Sequence, residues 1–438
     1  MPSIPQIVTA MQTVLCDQAT DAARMHGLIR RHRRMSGAQF VQTVVGSFLA
    51  HPDATYETMV GVAADLGVTI TPQGLEARFD PAAVACLHQV LAATMHQTMT
   101  ADPAVLPLLD RFVAVEVQDS TTIALPDALA DQFAGCGGSH GRVAAAVKAQ
   151  FRWELRSGRL DGPLLQDGRA SDRAVEFVRR AAPGTLRLRD LGYWHLDDLL
   201  QDAQDGRFWL TRLKPGTALT TIDGQRVALV DLLEAQTAEM LEVPIQLGAR
   251  HRLPARLLAR RLDPETVAAR LRRVEQTARR KGRRVSATTR LLCAWEVLVT
   301  NLTAAQLRAH EAWILYGVRW QIELLFKLWK QSGKLDMSRG TQPARVLAEL
   351  YAKFIGLVIQ HWLLLAGCWQ QADRSLTKAA KVVRAWAERL MRALTDTTRL
   401  EHLVTDLVAA IQRAGRQTRR KKQPGTWQLL GGQPSGLT

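Results

Sequence analysis

The sequence is poor in cysteine, and the few cysteines it has are far apart. They are Cys16, Cys86, Cys136, Cys293 and Cys368, and no two form a CxxC pair. An odd number at such spacings disfavours a disulfide framework, and the missing CxxC pairs disfavour a zinc ribbon. We therefore expect a protein of a reducing compartment.

The chain also lacks the segments that direct a protein to a membrane. Its start, MPSIPQIVTAMQTVLCDQ, has no basic region followed by an apolar one, so we expect no export signal. The longest apolar stretch, Phe354 to Gly367, is interrupted by Gln360 and His361 and is too short to span a bilayer. These features predict a soluble intracellular protein without a membrane partner.

Nucleotide-binding and zinc-enzyme motifs are absent as well. There is no GxxxxGK[ST] and no GxGxxG, and the histidines form neither HExxH nor HxxxH. The first absence disfavours the use of ATP and the second a dinucleotide cofactor. The third favours oxygen ligands over zinc chemistry for any metal site.

What the sequence has is positive charge in two places. The 57 Lys+Arg against 41 Asp+Glu leave a net charge of +16. Residues 250–290 account for +11 and residues 407–438 for +6, so the rest of the chain is near neutral. Two local basic segments are typical of a protein that binds a phosphate backbone, although a solvated helix and a disordered tail would give the same pattern.

Hydrophobic periodicity predicts a helical N-terminal region. Ser36 is a candidate helix cap and follows a basic cluster, Arg30–Arg34, that is suited to DNA phosphates. The segment from Tyr56 to Phe79 suggests two helices joined at Gly67. It fits either a DNA-binding helix-turn-helix or a plain helical hairpin.

The middle of the chain predicts a mixed α/β sheet. Strand-like runs and helical runs alternate from Arg111 to Pro215, and one of the predicted helices covers residues 171–182. An irregular, strand-rich insertion and a basic helix follow. From Ser286 to about Leu394 the pattern is largely helical, and a basic tail ends the chain.

This organisation divides the chain into five regions. They are a helical DNA-binding region (1–100), the first part of a catalytic core (101–216), an insertion with a basic helix (217–285), a helical second part of the core (286–371), and a C-terminal helical region with a basic tail (372–438).

Two aspartates stand at the ends of predicted strands, Asp119 and Asp190. Strand ends are where a sheet presents side chains to a ligand, and two carboxylates there offer the hard oxygen ligands that divalent metals prefer. Aspartate is also a common turn-former and helix cap, so each position alone fits either reading.

A predicted helix from Ile314 to Gln331 carries the strongest pattern. Tyr316, Arg319, Glu323 and Lys330 follow one another at i, i+3, i+7 and i+14, which places them on one stripe. Such a stripe is either a solvated face with an Arg–Glu pair or a site in which a carboxylate binds metal and the phenol and cations bind phosphates.

This Y-x2-R-x3-E-x6-K pattern, with Asp119-Ser120-Thr121 and Asp190-Leu191-Gly192-Tyr193 before it, resembles the DDE transposases of bacterial insertion sequences. It is most similar to insertion-sequence family four, which has this Tyr-Arg-Glu-Lys signature. Further similarity lies at Ile70 to Phe79, Leu298 to Asn301 and Leu350 to Leu365, so that it spans roughly residues 35 to 370.

The resemblance implies a ribonuclease-H-like mixed sheet, interrupted by a strand-rich insertion, with helical N- and C-terminal regions. It implies that Asp119, Asp190 and Glu323 are the catalytic carboxylates. They would bind two Mg²⁺ ions, for which Mn²⁺ would substitute. Tyr316, Arg319, Lys330 and Trp295 would contact DNA, the tryptophan by stacking on a flipped base.

The implied activity is cut-and-paste transposition of double-stranded DNA. The protein would bind the terminal inverted repeats, cleave the element ends and join the 3′-OH ends to target DNA, without a nucleotide cofactor. A homodimer through the helices of Leu376 to Leu394 would pair two ends, in the cytoplasm and at the nucleoid of a bacterium. Two alternatives remain, a ribonuclease-H-like nuclease and a catalytically decayed DNA-binding protein.

Overall fold

A computed structural model describes the chain in two compact units, each built from separated stretches of sequence. Unit 1 comprises Met1–Leu106, Asp119–Val178 and Trp320–Thr438, and unit 2 comprises Pro107–Gln118 and Arg179–Arg319. The residues described are 1–29, 35–103, 106–138, 141–172, 177, 180–371, 373–417 and 429–430.

Helices dominate both ends of the described chain. They are α1 (Ile4–Gln12), α2 (Ala19–Met25), α3 (Gly37–Ala50), α4 (Tyr56–Asp65), α5 (Pro72–Glu76), α6 (Pro81–His96), α7 (Leu196–Gln204), α8 (Leu229–Glu234), α9 (Pro264–Arg280), α10 (Ala287–Cys293), α11 (Ala309–Val318), α12 (Trp320–Gln331), α13 (Pro343–Cys368), α14 (Leu376–Ala393) and α15 (Thr397–Ala414). A π-helical turn (Thr13–Gln18) and two 3₁₀ turns (Asp127–Leu129 and Leu191–Tyr193) complete the helical segments described.

Strands occupy the middle of the described chain. They are β1 (Val115–Leu125), β2 (Gly137–Gly138), β3 (Gly141–Arg142), β4 (Ala145–Glu154), β5 (Leu160–Asp167), β6 (Leu186–Arg189), β7 (Phe208–Arg212), β8 (Leu219–Thr220), β9 (Arg226–Val227), β10 (Met240–Leu247), β11 (Leu253–Arg261) and β12 (Trp295–Thr300).

The long helix α13 forms the centre of unit 1. Every residue from Arg345 to Cys368 is buried, and α3, α6, α14 and α15 pack against it. Its length and composition are those of a helix that could cross a membrane, but its most apolar stretch is entirely buried inside the structure. The physical role visible here is therefore that of a core helix.

The N-terminal helices of unit 1 begin at conventional caps. The Ser36 hydroxyl accepts the backbone N–H of Gln39, and the Gln39 side chain accepts the N–H of Ser36, which makes a complete capping box. At α6 the Asp80 side chain accepts the backbone N–H of Ala83, a single capping bond. The predicted cap at Ser36 is confirmed.

Strand β1 crosses from unit 2 into unit 1 at residues 118 and 119. Within unit 1 the strand order is β5-β4-β1, and β4 and β5 are antiparallel. Within unit 2 the order is β1-β6-β7-β12-β11-β10-β8-β9, in which β1, β6 and β7 are parallel and the following neighbours antiparallel.

The sheet of unit 2 carries buried apolar side chains on both faces: Leu210, Leu258 and Leu298 on one, and a larger cluster on the other. Alternate residues of β7, β11 and β12 join a buried cluster with side chains of α7 and α8. Trp209, Leu257, Trp295 and Val299 belong to this cluster. Because side chains alternate along a strand, the residues between them lie on the other face.

The predicted mixed α/β class, with helical N- and C-terminal regions and a strand-rich insertion, is confirmed. The arrangement is consistent with a ribonuclease-H-like transposase fold. Strands predicted at Val143 to Leu155, Leu186 to Asp190 and Arg207 to Lys214 are β4, β6 and β7. The basic helix predicted after Pro264 is α9.

Five local predictions differ from the structure. The strand predicted to end at Asp119 continues to Leu125 as β1, so Asp119 lies within the strand and not at its end. The region after Ser286 contains β12, a strand whose short apolar run gave no helical or strand period of its own. The described part of residues 171–182 is not helical. The helix predicted from Ile314 to Gln331 is interrupted at Arg319, and α15 extends into the segment predicted as tail.

Candidate active site

Asp119 lies on β1, and its neighbour shows which way it points. The Ser120 hydroxyl donates to Oδ1 of Asp172 at 3.0 Å. Lys148 and Gln150 of β4 donate to the same oxygen at 3.1 and 3.3 Å. Because successive side chains of a strand alternate, Asp119 lies on the opposite face of the sheet from this cluster.

The face that bears Asp119 is the face that α12 covers. On β4, Phe151 follows Gln150 and therefore points away from the Asp172 cluster. The Phe151 ring centroid lies 5.5 Å from that of Phe326 and 5.0 Å from that of Trp329, both on α12. Asp119 thus belongs to the sheet face that packs against α12 within unit 1.

Two contacts give the relative direction of β1 and α12. The Lys330 ammonium donates to the carbonyl oxygen of Thr122 at 2.9 Å. Farther along β1, residues 123–125 line a small cavity together with residues 335–338, which follow α12. Strand and helix therefore run in the same direction.

From this direction we expect Glu323 to lie at the level of Asp119. From Thr122 back to Asp119 is about 10 Å along a strand. From Lys330 back to Glu323 is also about 10 Å along a helix, and residues seven apart share a helix face. Because Lys330 reaches β1, we expect Glu323 on the helix face turned towards β1, and its position opposite Asp119 stays a prediction.

Lys330 is held in place by the sheet. Its side chain is partly buried, and burial lowers the pKa of its ammonium group below its usual range while Asp336 opposes that shift. The bond to Thr122 leaves donor capacity, because an ammonium group has three N–H donors. A half-desolvated cation of this kind binds an anion more strongly than a fully solvated one.

The second aspartate and the first half of the signature lie in unit 2. Asp190 follows β6 directly, and its carboxylate Oδ1 is 3.9 Å from Nη2 of Arg319. The Tyr316 hydroxyl donates to the carbonyl oxygen of Arg189 at 3.4 Å. Tyr316 and Arg319 therefore border the end of the strand that presents Asp190.

The Tyr316 ring is buried between cations. The guanidinium carbon of Arg212 lies 5.7 Å from its centroid and that of Arg319 lies 5.9 Å away. Burial raises the pKa of the Tyr316 phenol, and the two arginines partly offset that rise. The phenol is thus a neutral donor at physiological pH.

A buried carboxylate of α7 binds two arginine side chains of β6. Asp202 of α7 has a side chain only 1% exposed and receives Nη1 of Arg187 at 2.8 Å, Nε of Arg207 at 2.8 Å and Nη2 of Arg189. Arg187 and Arg189 are two residues apart, so they share one face of β6. This network fixes the strand that ends at Asp190.

The donor chemistry of the predicted carboxylates fits a magnesium site. Asp119, Asp190 and Glu323 offer oxygen ligands and are only partly buried. Within the ranges described above, no three His, Cys, Asp or Glu side chains form a ready-made group for a metal ion. The assignment of all three carboxylates to one site therefore stays a prediction.

Trp295 occupies the apolar core of unit 2. It is 2% exposed, and the guanidinium of Arg261 lies 4.7 Å from its ring centroid. Its indole N–H has no hydrogen-bond partner in the described part of the chain. Its stacking on a flipped base stays a prediction, and it would require the ring to leave this core.

The predicted DNA-binding segments of the N-terminal region are described in part. Gly67 adopts a positive φ of 75° after α4, and α5 has only five residues. The structure thus contains the two helices and the turn, but the second helix is short. The basic cluster Arg30–Arg34 lies outside the described residues.

Sequence reasoning missed Arg212 and Asp202. Arg212 ends a strand that was recognised, but its place beside Tyr316 depends on a pairing between distant segments. Asp202 left a usable signal, since it lies three residues after the buried Leu199 on the apolar side of an amphipathic helix. An acid at such a position requires a buried partner.

A family comparison covers the whole of this arrangement. The family described as "Transposase DDE domain" matches residues 116–359, which is more than half of the chain. Asp119, Asp190 and Glu323 all lie inside the matched residues.

Relatives match over about two thirds of the chain or more. The chain is 25% identical over 440 residues to the transposase for insertion sequence element IS231F of Bacillus thuringiensis subsp. israelensis, covering 94% of this chain and 91% of the relative. It is 23% identical over 310 residues to the transposase for insertion sequence element IS1151 of Clostridium perfringens, covering 66% and 65%. Membership of insertion-sequence family four stays a prediction.

Proposed function

The chain belongs to the DDE transposases of bacterial insertion sequences, and from this membership we propose that it carries out cut-and-paste transposition. It binds the terminal inverted repeats of its element, cleaves the ends by metal-dependent hydrolysis, and joins the 3′-OH ends to target DNA. Its partners are the double-stranded DNA of the element ends and of the target.

The observation that carries this proposal is the packing of α12 against the sheet face that bears Asp119, with Lys330 of the signature bound to β1. Asp119 and Glu323 are 204 residues apart in the sequence, and this packing supports our proposal that their carboxylates act together. Paired carboxylates are what two-metal phosphoryl transfer requires.

The proposed metal ligands are Asp119, Asp190 and Glu323, which would hold two Mg²⁺ ions or two Mn²⁺ ions. When bound, such ions supply Lewis-acid stabilisation of the phosphate and lower the pKa of water. The protein needs no histidine as general base for this chemistry. A water molecule would attack the phosphorus at the element end and displace the 3′ oxygen of the element's terminal nucleotide, which leaves a 5′-phosphate on the flanking DNA. The freed 3′-OH of the element would then attack a second phosphodiester and displace its 3′ oxygen.

The remaining signature residues position the DNA. Lys330, held at Thr122, and Arg319 beside Asp190 carry charge to the phosphates next to the scissile bond. Tyr316 remains protonated and donates a hydrogen bond. Trp295 is the proposed stacking partner of a flipped base. These contacts orient the DNA strand without taking part in bond breaking.

The other regions supply binding and assembly. The N-terminal helices read the inverted repeats, and the basic segment of residues 250–290 adds phosphate contacts. Two element ends must be paired, so we propose a homodimer that uses the helices from Leu376 to Leu394. The protein works in the bacterial cytoplasm, at the nucleoid, without a nucleotide cofactor.

A cleavage assay on a duplex that carries the cognate inverted repeat tests the catalytic assignment. We expect the wild type to cut in Mg²⁺ and the variants Asp119→Ala and Glu323→Ala to lose cutting by at least about 10³-fold while still binding DNA. Asp127→Ala, an exposed acid just after β1, is the matched control and should cut normally. Unchanged cutting by Asp119→Ala would refute the assignment, and an inactive wild type would favour a decayed protein.

A strand-transfer assay separates a transposase from a plain nuclease. Pre-cut ends that bear a 3′-OH are incubated with supercoiled plasmid and Mg²⁺. We expect joined products that depend on Asp190 and Glu323. Cleavage without any joined product would instead favour a ribonuclease-H-like nuclease.

A further inference from the structure

Unit 2 carries a row of charged side chains on the sheet face opposite its apolar cluster, next to the buried side chains of Leu210, Leu258 and Leu298. Strands β7, β12 and β11 are neighbours, and their apolar alternates form the core. Arg212, Glu296 and Arg260 lie on the other face, because each follows or precedes a core residue by one position. The register confirms this, since Arg260 is directly opposite Glu296.

One carboxylate in this row serves two guanidinium groups. Arg260 places Nη2 at 2.6 Å and Nε at 3.0 Å from Oε2 of Glu296, and Nη2 of Arg212 is 3.7 Å from Oε1. The arginine side chains are 42% and 44% exposed, whereas Glu296 is 12% exposed. The row therefore has an excess positive charge that faces solvent.

Aromatic rings of α11 hold the two arginines. The guanidinium carbon of Arg260 is 5.1 Å from the ring centroid of Trp313, and that of Arg212 is 5.7 Å from the ring centroid of Tyr316. Such contacts favour a fixed orientation of the planar cation. The Trp313 indole N–H is buried and lacks a hydrogen-bond partner among the residues described, so this face also carries an unmet donor.

We propose that the row Arg212–Glu296–Arg260 is a binding surface for DNA phosphates, in which Glu296 occupies the place of a phosphate until DNA arrives. The proposal rests on the proposed function, because it takes duplex DNA as the partner. Carboxylate and phosphate match the guanidinium fork in the same geometry. Exchange costs little, since partly exposed ion pairs contribute little stability, while phosphate binding releases counterions from DNA.

A second ion pair, between Arg256 of β11 and Glu242 of β10, lacks these properties and serves as a control. Arg256 contacts Oε1 of Glu242 through Nε at 3.0 Å, but its Nη1 also donates to the carbonyl oxygens of Leu302 and Leu307 at 2.8 and 3.0 Å. Its side chain is only 13% exposed. Arg256 is thus committed to the protein backbone, and removing Glu242 frees no binding site.

The test measures the affinity of full-length variants for a labelled DNA duplex by fluorescence anisotropy at several salt concentrations. We expect Glu296→Gln to bind roughly three- to tenfold more tightly and its log–log salt slope to steepen by about 0.9. Arg260→Gln should bind more weakly, with a slope shallower by about 0.9. Glu242→Gln should match the wild type.

The two variants are expected to change DNA affinity in opposite directions, so misfolding cannot explain both results. A variant that only loses structure binds DNA less well, so a shared destabilisation cannot produce tighter binding by Glu296→Gln and weaker binding by Arg260→Gln. If Glu296→Gln is unstable by thermal melting, the shallower slope of Arg260→Gln remains the deciding measurement. An unchanged slope in Arg260→Gln overturns the proposal.

The wild type separates failure of this inference from failure of the proposed function. Wild-type protein that neither binds nor cuts the duplex refutes the proposed function itself. Wild-type protein that binds and cuts, with Glu296→Gln equal to Glu242→Gln, refutes only the phosphate surface. The affinity of Glu296→Gln is also measured for an RNA duplex of the same sequence. A larger increase in affinity for the RNA duplex than for the DNA duplex would overturn the assignment of DNA as the partner.

Discussion

At the scale of single residues, the buried carboxylate of Asp202 is the clearest case of one side chain supporting others. Three arginine side chains converge on it, and two of them come from the strand that leads to Asp190. Each of these cations is largely removed from water, so none can be left without an anion at low cost.

We expect Asp202→Asn to lower the free energy of unfolding by about 2–4 kcal/mol, because it removes the one buried carboxylate that the three arginines share. The other carboxylates beside them are more distant or more exposed. Urea denaturation followed by circular dichroism measures this loss. Asp223→Asn, an exposed acid in the turn between β8 and β9, is the control and should leave stability unchanged. Equal stability of Asp202→Asn and the wild type would show that the network carries no net stabilisation.

The position of Lys330 leads to a prediction about DNA binding. We expect Lys330→Ala to weaken binding of an element end and to reduce the salt slope by about 0.9, one phosphate contact. Lys327→Ala, exposed on another side of α12, should change the slope less. A salt slope identical to that of the wild type would remove Lys330 from the DNA path.

At the scale of elements, α13 concentrates titratable groups inside an apolar core. His361 is buried, and its Nε2 lies 2.7 Å from the carbonyl oxygen of Gly158, which it serves as a donor. Burial lowers the pKa of His361 from its ordinary value of 6.5 to about 4. The histidine is therefore neutral in the folded protein.

This shift predicts a loss of stability in acid. The unfolded chain takes up a proton near pH 6.5 and the folded chain only near pH 4, so the contribution is complete above pH 6.5 and is lost as the pH falls towards 4. We expect a decrease of roughly 1–2 kcal/mol in unfolding free energy between pH 7.5 and about pH 5.5. His361→Gln should flatten this dependence in urea titrations, whereas His88→Gln, at an exposed position, should retain it.

The same helix anchors the segment that follows the signature helix. The Lys353 ammonium donates to the carbonyl oxygens of Lys334 and Met337 at 2.8 and 2.7 Å, and it pairs with Glu349 at 2.8 Å. All of this lies in the protein interior, since the Lys353 and Glu349 side chains are 2% and 3% exposed. The segment after α12 is therefore anchored by a buried lysine side chain of α13.

We expect Lys353→Met to speed amide hydrogen exchange across residues 334–337, because the two carbonyl contacts are lost. Glu349 would keep Arg345, at 3.6 Å, and the Ser338 hydroxyl, at 3.3 Å. Hydrogen-exchange mass spectrometry measures the change. Lys327→Met, which replaces an exposed lysine of α12, is the matched control. Unchanged exchange in Lys353→Met would show that the segment is held by other contacts.

Elements with a strong local period were predictable from sequence, and those defined by distant pairing were not. The capped helices and strands β4, β6 and β7 follow from patterns within ten or so residues. Strand β12 was missed because its identity depends on β7 and β11, which precede it by tens of residues. The interruption at Arg319 likewise leaves no mark in the hydrophobic period of Ile314 to Gln331.

The candidate site was likewise predictable from sequence only in part. Asp119, Asp190 and Glu323 were predicted from strand ends and from one helical stripe. The direction of β1 relative to α12 depends on packing and is visible only through contacts such as Lys330 with Thr122. The ion pairs of Glu296 and Asp202 depend on tertiary structure in the same sense.

At the scale of the whole molecule, unit 1 is assembled from three separate stretches of chain. Its N-terminal stretch, Met1–Leu106, packs α3 and α6 against α13, which belongs to the C-terminal stretch. Much of the apolar surface of the N-terminal helices is therefore covered by residues beyond 343. The predicted DNA-binding region of residues 1–100 is not a self-contained core.

We expect the isolated fragment of residues 1–106 to lack cooperative thermal unfolding, because the helix that covers its apolar faces is missing. Circular dichroism melting and binding of a hydrophobic dye measure this. The full-length protein is the control and should unfold cooperatively with little dye bound. A sharp transition in the fragment would show that α1–α6 form an independent domain.

The position of α13 in the chain has a consequence for synthesis. The ribosome must add more than 200 residues after α6 before α13 emerges, which takes on the order of 10–50 s. During that time the parts of α3 and α6 that α13 covers remain exposed to chaperones and other nascent chains. A product truncated before α13 would then be a substrate for proteolysis, so each functional copy of this protein requires complete translation.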